Sequence, residues 1–326
     1  MAASFANAID GAIESIVPLS FTRSGYAVRS RLYRWTAPAA LSGKTVVVTG
    51  ATSGLGRDLA FSFAARQARV ILVGRDRARC ERVAKEIAAV SPDASTEIVV
   101  MDMASQASIR DGAALIARLA PTVDVLVHNA GAITQEWTRS PEGIEVTVAA
   151  QVVGPFILTS LLLPALEQSG DAKVITVTSG GMYTWKFSLD DLEMSTANYD
   201  GVKAYARAKR AQVILAHAWA NQGAHPTIRF VTMHPGWAAT PGLAHSLPTF
   251  YRFLHPFLRT PAQGADTVVW LASAPNANLR DGALYFDRRP RNEHKLKRTQ
   301  PLNAAADQSA LWQWCNTRVD GVNFSE

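Results

Sequence analysis

Two tyrosine–lysine pairs stand out in the chain, Tyr199 with Lys203 and Tyr205 with Lys209. Four-residue spacing puts both side chains of a pair on one helix face. A phenol beside an ammonium suits proton transfer, because the cation stabilises phenolate and draws a pKa of about 10 toward neutrality. Spacing alone does not choose between the pairs. Gly201 sits inside the first and costs about 1 kcal/mol in a helix interior, whereas the second runs on into Val213, Ile214 and Leu215. Tyr205 and Lys209 are therefore the expected catalytic pair, and Tyr199 falls where the helix begins. Ser179, just beyond an apolar β-branched run, is a hydroxyl able to donate to a substrate oxygen. Thr178, one position earlier, should point to the other side of its strand.

A second cluster is suited to a nucleotide. Residues 49–56 read Thr-Gly-Ala-Thr-Ser-Gly-Leu-Gly, between an apolar run and a helical pattern. Glycine there lets the backbone approach a pyrophosphate, and the following helix offers free N–H groups and the positive end of its dipole. Gly50, Thr52, Ser53, Gly54, Leu55 and Gly56 are the expected contacts. An NAD site would have a carboxylate at the end of the second strand for the ribose hydroxyls. This chain has Gly74-Arg75, and a guanidinium there can fork onto a 2′-phosphate, with Arg57 adding a second positive charge. NADP(H) is the expected cofactor, although Asp76 next door could still reach a ribose hydroxyl. Asp102, with Met103 alongside, is placed for the adenine. Asn129, Ala130 and Gly131 form a thin wall at the fourth strand, where Asn129 can tie neighbouring strands together.

These groups require a frame that brings strand ends together. Short apolar runs alternate with helical stretches from Lys44 onward, which predicts βαβ units. The predicted strands are Thr45–Thr49, Arg69–Val73, Glu97–Met101, Val123–Val127, Lys173–Val177, Ile228–Met233 and Ala283–Phe286. Between them fall predicted helices Leu55–Gln67, Arg77–Val90, Gln106–Leu119, Glu142–Gln168, Val202–Asn221 and Pro261–Ser273. Strands this apolar need helices on both sides, so the expected fold is α/β, a doubly wound parallel sheet of the Rossmann type. It forms a single domain over 41–287, with an N-terminal extension (1–40) and a C-terminal extension (288–326). Two long connections, Gly180–Gly201 and Pro235–Thr260, follow strand carboxyl ends, where ligands of such sheets sit. Leu311, Trp312 and Trp314 predict a short helix docked on the core or on a neighbouring subunit.

Composition narrows the partners. With 48% hydrophobic and 18% charged residues the chain can bury a large core. Its 33 basic and 27 acidic residues give a net charge of +6, which suits anionic ligands without indicating nucleic acid. The basic runs Arg23–Arg34 and Arg288–Arg298 read as solvated faces, with peripheral membrane contact the less favoured reading. Cys80 and Cys315 form neither a disulfide framework nor a metal-ligand spacing, which fits a reducing, cytoplasmic setting and no metal. The first 20 residues lack the charged start and continuous apolar core of a secretory signal. No apolar run is expected to span a bilayer.

Taken together, TGATSGLG at 49–56, NAG at 129–131, Ser179 and YARAK at 205–209 resemble the short-chain dehydrogenase/reductase family over roughly residues 41–287. The long Ser179–Tyr205 spacing, GGM at 180–182 and HPGW at 234–237 look most like its retinol-dehydrogenase-like branch. The resemblance implies that Ser179 polarises a carbonyl, Tyr205 transfers a proton, and Lys209 lowers the tyrosine pKa and binds the nicotinamide ribose. Pro235, Gly236 and Thr240 would contact the nicotinamide side, and a homodimer or homotetramer is implied. At 151, where the family usually has an asparagine that helps hold a relay water, this chain has Gln151, one methylene longer. The expected activity is interconversion of a carbonyl and an alcohol; the aromatic stretch Ser246–Leu258 reads either as a surface for a lipophilic small molecule, the reading adopted, or as an oligomer contact. An NADP(H)-binding sensor with little turnover is the alternative, favoured only by Gln151. An epimerase or dehydratase of related fold is a lesser one, because little regular structure is expected after Thr240.

Overall fold

The computed structural model describes residues 2–319, so positions 320–326 of the C-terminal extension lie outside the described residues. Three helices precede the sheet: α1 (Ala2–Ser15), α2 (Val17–Phe21) and α3 (Arg23–Leu32). There follow β1 (Thr45–Thr49), α4 (Gly54–Ala64), β2 (Arg69–Gly74), α5 (Arg77–Val90), β3 (Thr96–Val100), α6 (Gln106–Leu119) and β4 (Val125–His128). Helix α7 (Val146–Glu167), containing a π-helical turn at Ala149–Val153, leads to β5 (Ala172–Val177), α8 (Gly201–Asn221) and β6 (Ile228–Met233). The chain continues through α9 (Pro241–Ser246), α10 (Pro248–Leu254), α11 (Pro261–Ser273), β7 (Leu284–Phe286), β8 (Arg289–Pro290) and α12 (Ala304–Thr317).

The strands form one eight-stranded sheet in the order β3-β2-β1-β4-β5-β6-β7-β8, parallel except for the antiparallel β7–β8 pair. It is a doubly wound Rossmann-type sheet. Residues alternate across it as period-two geometry demands. Val47, Ile71 and Val73 face a core shared with α6, α7 and α8, while Val46, Val48, Val70 and Leu72 face α4, α5 and α11. The order reverses between β1 and β4, which opens a crevice at their carboxyl ends.

Several expectations are corrected. Helix α7 starts at Val146 rather than Glu142, because Glu145 caps it by accepting from the N–H groups of Thr147 and Val148. It is also long and apolar enough to cross a membrane, contrary to the reading that no run was; 78% of its apolar stretch is buried, as a core helix requires. The connection 235–260, read only as a long one, contains α9 and α10, each opened by a proline at its start, where a missing N–H costs nothing. The sheet continues beyond residue 287 into β8. The two basic runs are not simply solvated: Arg29 and Arg291 pair with Asp10, Arg288 with Asp266 and Lys295 with Glu14. Helix α12 docks as expected, with Trp312 edge-on to Phe156 and Trp219.

Candidate active site

Ser179 lies two residues beyond the end of β5, and Tyr205 and Lys209 lie in the second and third turns of α8. Asp200 starts that helix by accepting from the N–H groups of Val202 and Lys203, which leaves Tyr199 outside it. The Ser179 hydroxyl stands beside the Tyr205 phenol, where it favours the phenolate, and Ser179 Oγ accepts from the Gly181 N–H at 3.2 Å. The Lys209 ammonium lies 5.3 Å from the centre of the Tyr205 ring and donates to the Val177 carbonyl at 2.8 Å. Thr178 is buried on the other side, donating to the Lys209 carbonyl at 2.7 Å, so it anchors the helix. Tyr199 is committed elsewhere: its hydroxyl bonds Thr134, Thr147 and Glu145, while Lys203 pairs with Asp200 at the surface. The structure thus separates the two tyrosine–lysine pairs, which spacing left equivalent.

Electrostatics departs from the expectation of a lowered phenol pKa. Burial pushes Tyr205 up to about 12, only partly offset by the neighbouring Ser179 hydroxyl. Burial also draws Lys209 down to about 7. Each group is desolvated, and the ammonium bonds a carbonyl rather than the phenol, so little Coulomb help reaches the phenolate. His128 nearby is buried and held neutral by the same desolvation and by Lys209. Gln151 lies in the π turn and donates to the Ala132 carbonyl at 2.9 Å. A Cβ on Gly131 would stand 2.8 Å from Gln151 Oε1 and 3.3 Å from Lys209 Nζ, so Gln151 does reach the lysine's surroundings. Gln212, unremarked in the sequence, donates to the Gln151 main-chain carbonyl at 2.7 Å.

The glycine turn lies at the neighbouring strand ends. Gly50 has φ +68°, and a Cβ there would stand 2.9 Å from the Ala130 backbone; at Gly56 it would meet the Gly50 carbonyl at 2.1 Å. Asn129 ties the wall as expected, donating to the Thr49 carbonyl at 2.9 Å. Ser53 makes no side-chain cap on α4. In contrast, Asp76, Ser105, Asp200, Thr260 and Asn303 cap α5, α6, α8, α11 and α12. The first turn of α4 therefore keeps uncapped N–H groups where an anion would sit. Thr52 packs beside Gly74 and Leu55 beside Gly264, so both are wall residues. Thr240 caps α9 and stands against Gly54, bringing the Pro235–Gly236 connection to the same crevice.

The adenosine side is less uniform. Arg75 is exposed and has no ion-pair partner among the described residues, whereas Arg57 is forked onto Glu86 at 3.0 and 2.8 Å and lies over the Phe61 ring. Asp76 is occupied as the α5 cap and with Arg79. Asp102 accepts from the Ala104 N–H at 2.9 Å, and the Met103 carbonyl is packed against Gly154.

Residues 44–249 match the sequence model of the short chain dehydrogenase family. The chain belongs to the short-chain dehydrogenase/reductase family. It is 38% identical over 279 residues to dehydrogenase/reductase SDR family member 12 of Bos taurus, covering 84% of this chain and 86% of that one. It is 31% identical to retinol dehydrogenase 14 of Mus musculus over 296 residues, covering 84% and 85%. A solved structure from Beutenbergia cavernae, titled as a candidate NAD(P)-dependent gluconate 5-dehydrogenase with NADP at low occupancy, superposes with TM-score 0.62. That match is 27% identical and covers 76% of this chain and 96% of that one. The chain is an oxidoreductase of the retinol-dehydrogenase-like branch, acting on CH–OH donors.

Proposed function

We propose that this oxidoreductase uses NADP(H) and acts on a lipophilic carbonyl or alcohol, with Tyr205 as its acid and base. The observation that carries the reading is the Tyr205 phenol set between the Ser179 hydroxyl and buried Lys209, whose ammonium lies 5.3 Å from the ring centre, next to the uncapped glycine turn. When bound, the dinucleotide supplies or accepts the hydride at the substrate carbon. Gly50, Gly54, Gly56 and the α4 N-terminus would hold its pyrophosphate, and Arg75 its 2′-phosphate. Asp102 and Met103 would border the adenine, with Asn129, Ala130 and Gly131 as the wall and Pro235, Gly236 and Thr240 flanking the nicotinamide.

In reduction, the Ser179 hydroxyl donates to the substrate oxygen and the Tyr205 phenol passes its proton to that oxygen. In oxidation the proton returns to Tyr205. Lys209 and Gln151 border the route by which the proton is replenished. Apolar rings support the substrate class: Phe250 packs edge-on to Trp237 at 5.1 Å, and Phe253 and Phe257 are more than half exposed on the same connection. Residues 41–287 would form the catalytic unit. The free thiols of Cys80 and Cys315 favour a reducing, cytoplasmic compartment. A homodimer or homotetramer would pack through α7 and α8, and a strictly monomeric species by light scattering at micromolar concentration would refute that packing.

A screen of aldehydes, ketones and lipophilic alcohols with both nicotinamide cofactors, read by nicotinamide absorbance, should find NADPH-dependent turnover. Tyr205→Phe should lower it at least about 100-fold with NADPH affinity nearly unchanged, and Tyr199→Phe should leave turnover nearly unchanged. The reverse pattern would move the active site; tight NADPH binding without any turnover would favour a sensor.

A further inference from the structure

We infer that the segment Val17–Leu32 is part of the reaction centre, a strap that fixes the Ser179–Gly180 and Pro235–Trp237 turns through Phe21, Arg29, Asp287 and Arg259. The assignment rests on the reading above of where the reaction occurs. Phe21, at the end of α2, is 2% exposed and sits behind both turns. A Cβ on Gly180 would stand 2.6 Å from its ring, so the residue after Ser179 lies flat on it. Its ring also packs against His234, Trp237 and Phe286, with centroids 4.7, 5.8 and 5.3 Å apart. The Phe21 carbonyl accepts from the Trp237 N–H at 2.9 Å and from Arg259 Nε at 3.1 Å. Gly236, at φ +70°, has no room for a Cβ, which would stand 2.7 Å from that carbonyl.

A buried charge cluster holds the strap in place. Asp287 accepts from both arms of Arg259, at 2.6 and 2.9 Å, and from Arg29 at 2.8 Å. Arg29, fully buried, continues to Asp10 at 2.6 Å and Glu14 at 2.7 Å, and Arg259 donates to the Ser20 carbonyl at 2.9 Å. Asp287 and Arg288 have φ of +52° and +59°, the left-handed region that ordinary residues rarely adopt. Such strain persists only where the surroundings over-determine it. Buried ion pairs are seldom better than apolar packing for stability alone, but they fix geometry. Here the geometry fixed is that of two backbone turns that border the hydride-transfer side. These residues touch other residues, not substrate, and so act as positioning residues.

The test uses the full chain with Phe21→Leu and Arg29→Lys. The second keeps its charge but loses the fork, and it carries both readouts where the first does not fold. Amide hydrogen exchange in the free protein should rise at least about tenfold in residues 179–182 and 234–239 and stay unchanged in Thr45–Thr49. With NADPH and a carbonyl reduced in a Tyr205-dependent way, kcat should fall about 10- to 100-fold, the scale of a 1 Å misplacement. NADPH Kd should stay within about threefold. A lower Tm with unchanged exchange in the two turns and unchanged kcat per bound NADPH would overturn the proposal and leave a purely structural brace. If Tyr205→Phe itself changes nothing, the catalytic reading has failed, and the exchange readout still judges the strap.

Discussion

Cofactor choice can be worked from two arginines whose surroundings differ. Arg75 is exposed and unpaired among the described residues, free to fork onto a 2′-phosphate, whereas Arg57 must first leave Glu86 and the Phe61 face. A charge-assisted hydrogen bond contributes about 1.5–3 kcal/mol; exposure to solvent puts Arg75 at the low end, about tenfold in Kd. Arg57 contributes less, because releasing an exposed pair costs up to about 1 kcal/mol. Arg75→Ala should therefore weaken NADPH about tenfold and NADH hardly at all, while Arg57→Ala should weaken NADPH about threefold or less. Glu86→Gln removes the competitor and should tighten NADPH two- to fivefold, about 0.4–1 kcal/mol. Each Kd can be read by nicotinamide fluorescence titration at fixed ionic strength, because the effect is screened by salt. Equal affinity for NADH and NADPH in the unmodified protein would refute the assignment, as would a larger loss at Arg57 than at Arg75.

Two pH dependences follow. Carbonyl reduction needs the Tyr205 phenol, which burial keeps protonated with a pKa pushed up to about 12; between pH 6 and 9 reduction should change only as Lys209, drawn down to about 7, loses its proton, while alcohol oxidation, needing phenolate, should climb through the alkaline range. An oxidation rate that peaks below pH 7 would contradict this. For Asp10, burial opposes ionisation, but hydrogen bonds from Arg291 and Arg29 outweigh it and hold the carboxyl at about 2, below its ordinary 3.8. Its stabilisation, about 2 kcal/mol, is present above pH 4 and is lost as pH falls toward 2, so Asp10→Asn should flatten acid unfolding in that window. Arg29→Met leaves Asp10, Glu14 and Asp287 with fewer partners and should cost about 3 kcal/mol by denaturant titration, the low end for a broken buried pair because Arg259, Arg291 and Lys295 remain.

Much of this was written locally. Short continuous apolar runs alternating with helical stretches marked the sheet, and the glycines of residues 49–56, like Ser179 and Tyr205, are placed by the strand or helix they adjoin, so their positions follow from short-range pattern. The preference for Tyr205 over Tyr199 also came from a local cost, that of Gly201 in a helix interior, and Asp200 does start the helix there, with Gly201 as its first residue. What the sequence could not show is any relation made across the chain. Arg29 looked like one member of a basic surface run, and only the fold brings Asp287, 258 positions away, against its guanidinium. Arg57 looked free for a phosphate until α4 and α5 packed side by side and set Glu86 before it. The phenol pKa went the same way: spacing supplied the lysine, but desolvation depends on how much protein closes around both groups. That is a property of packing, and it reverses the sign of the shift expected from the pair alone.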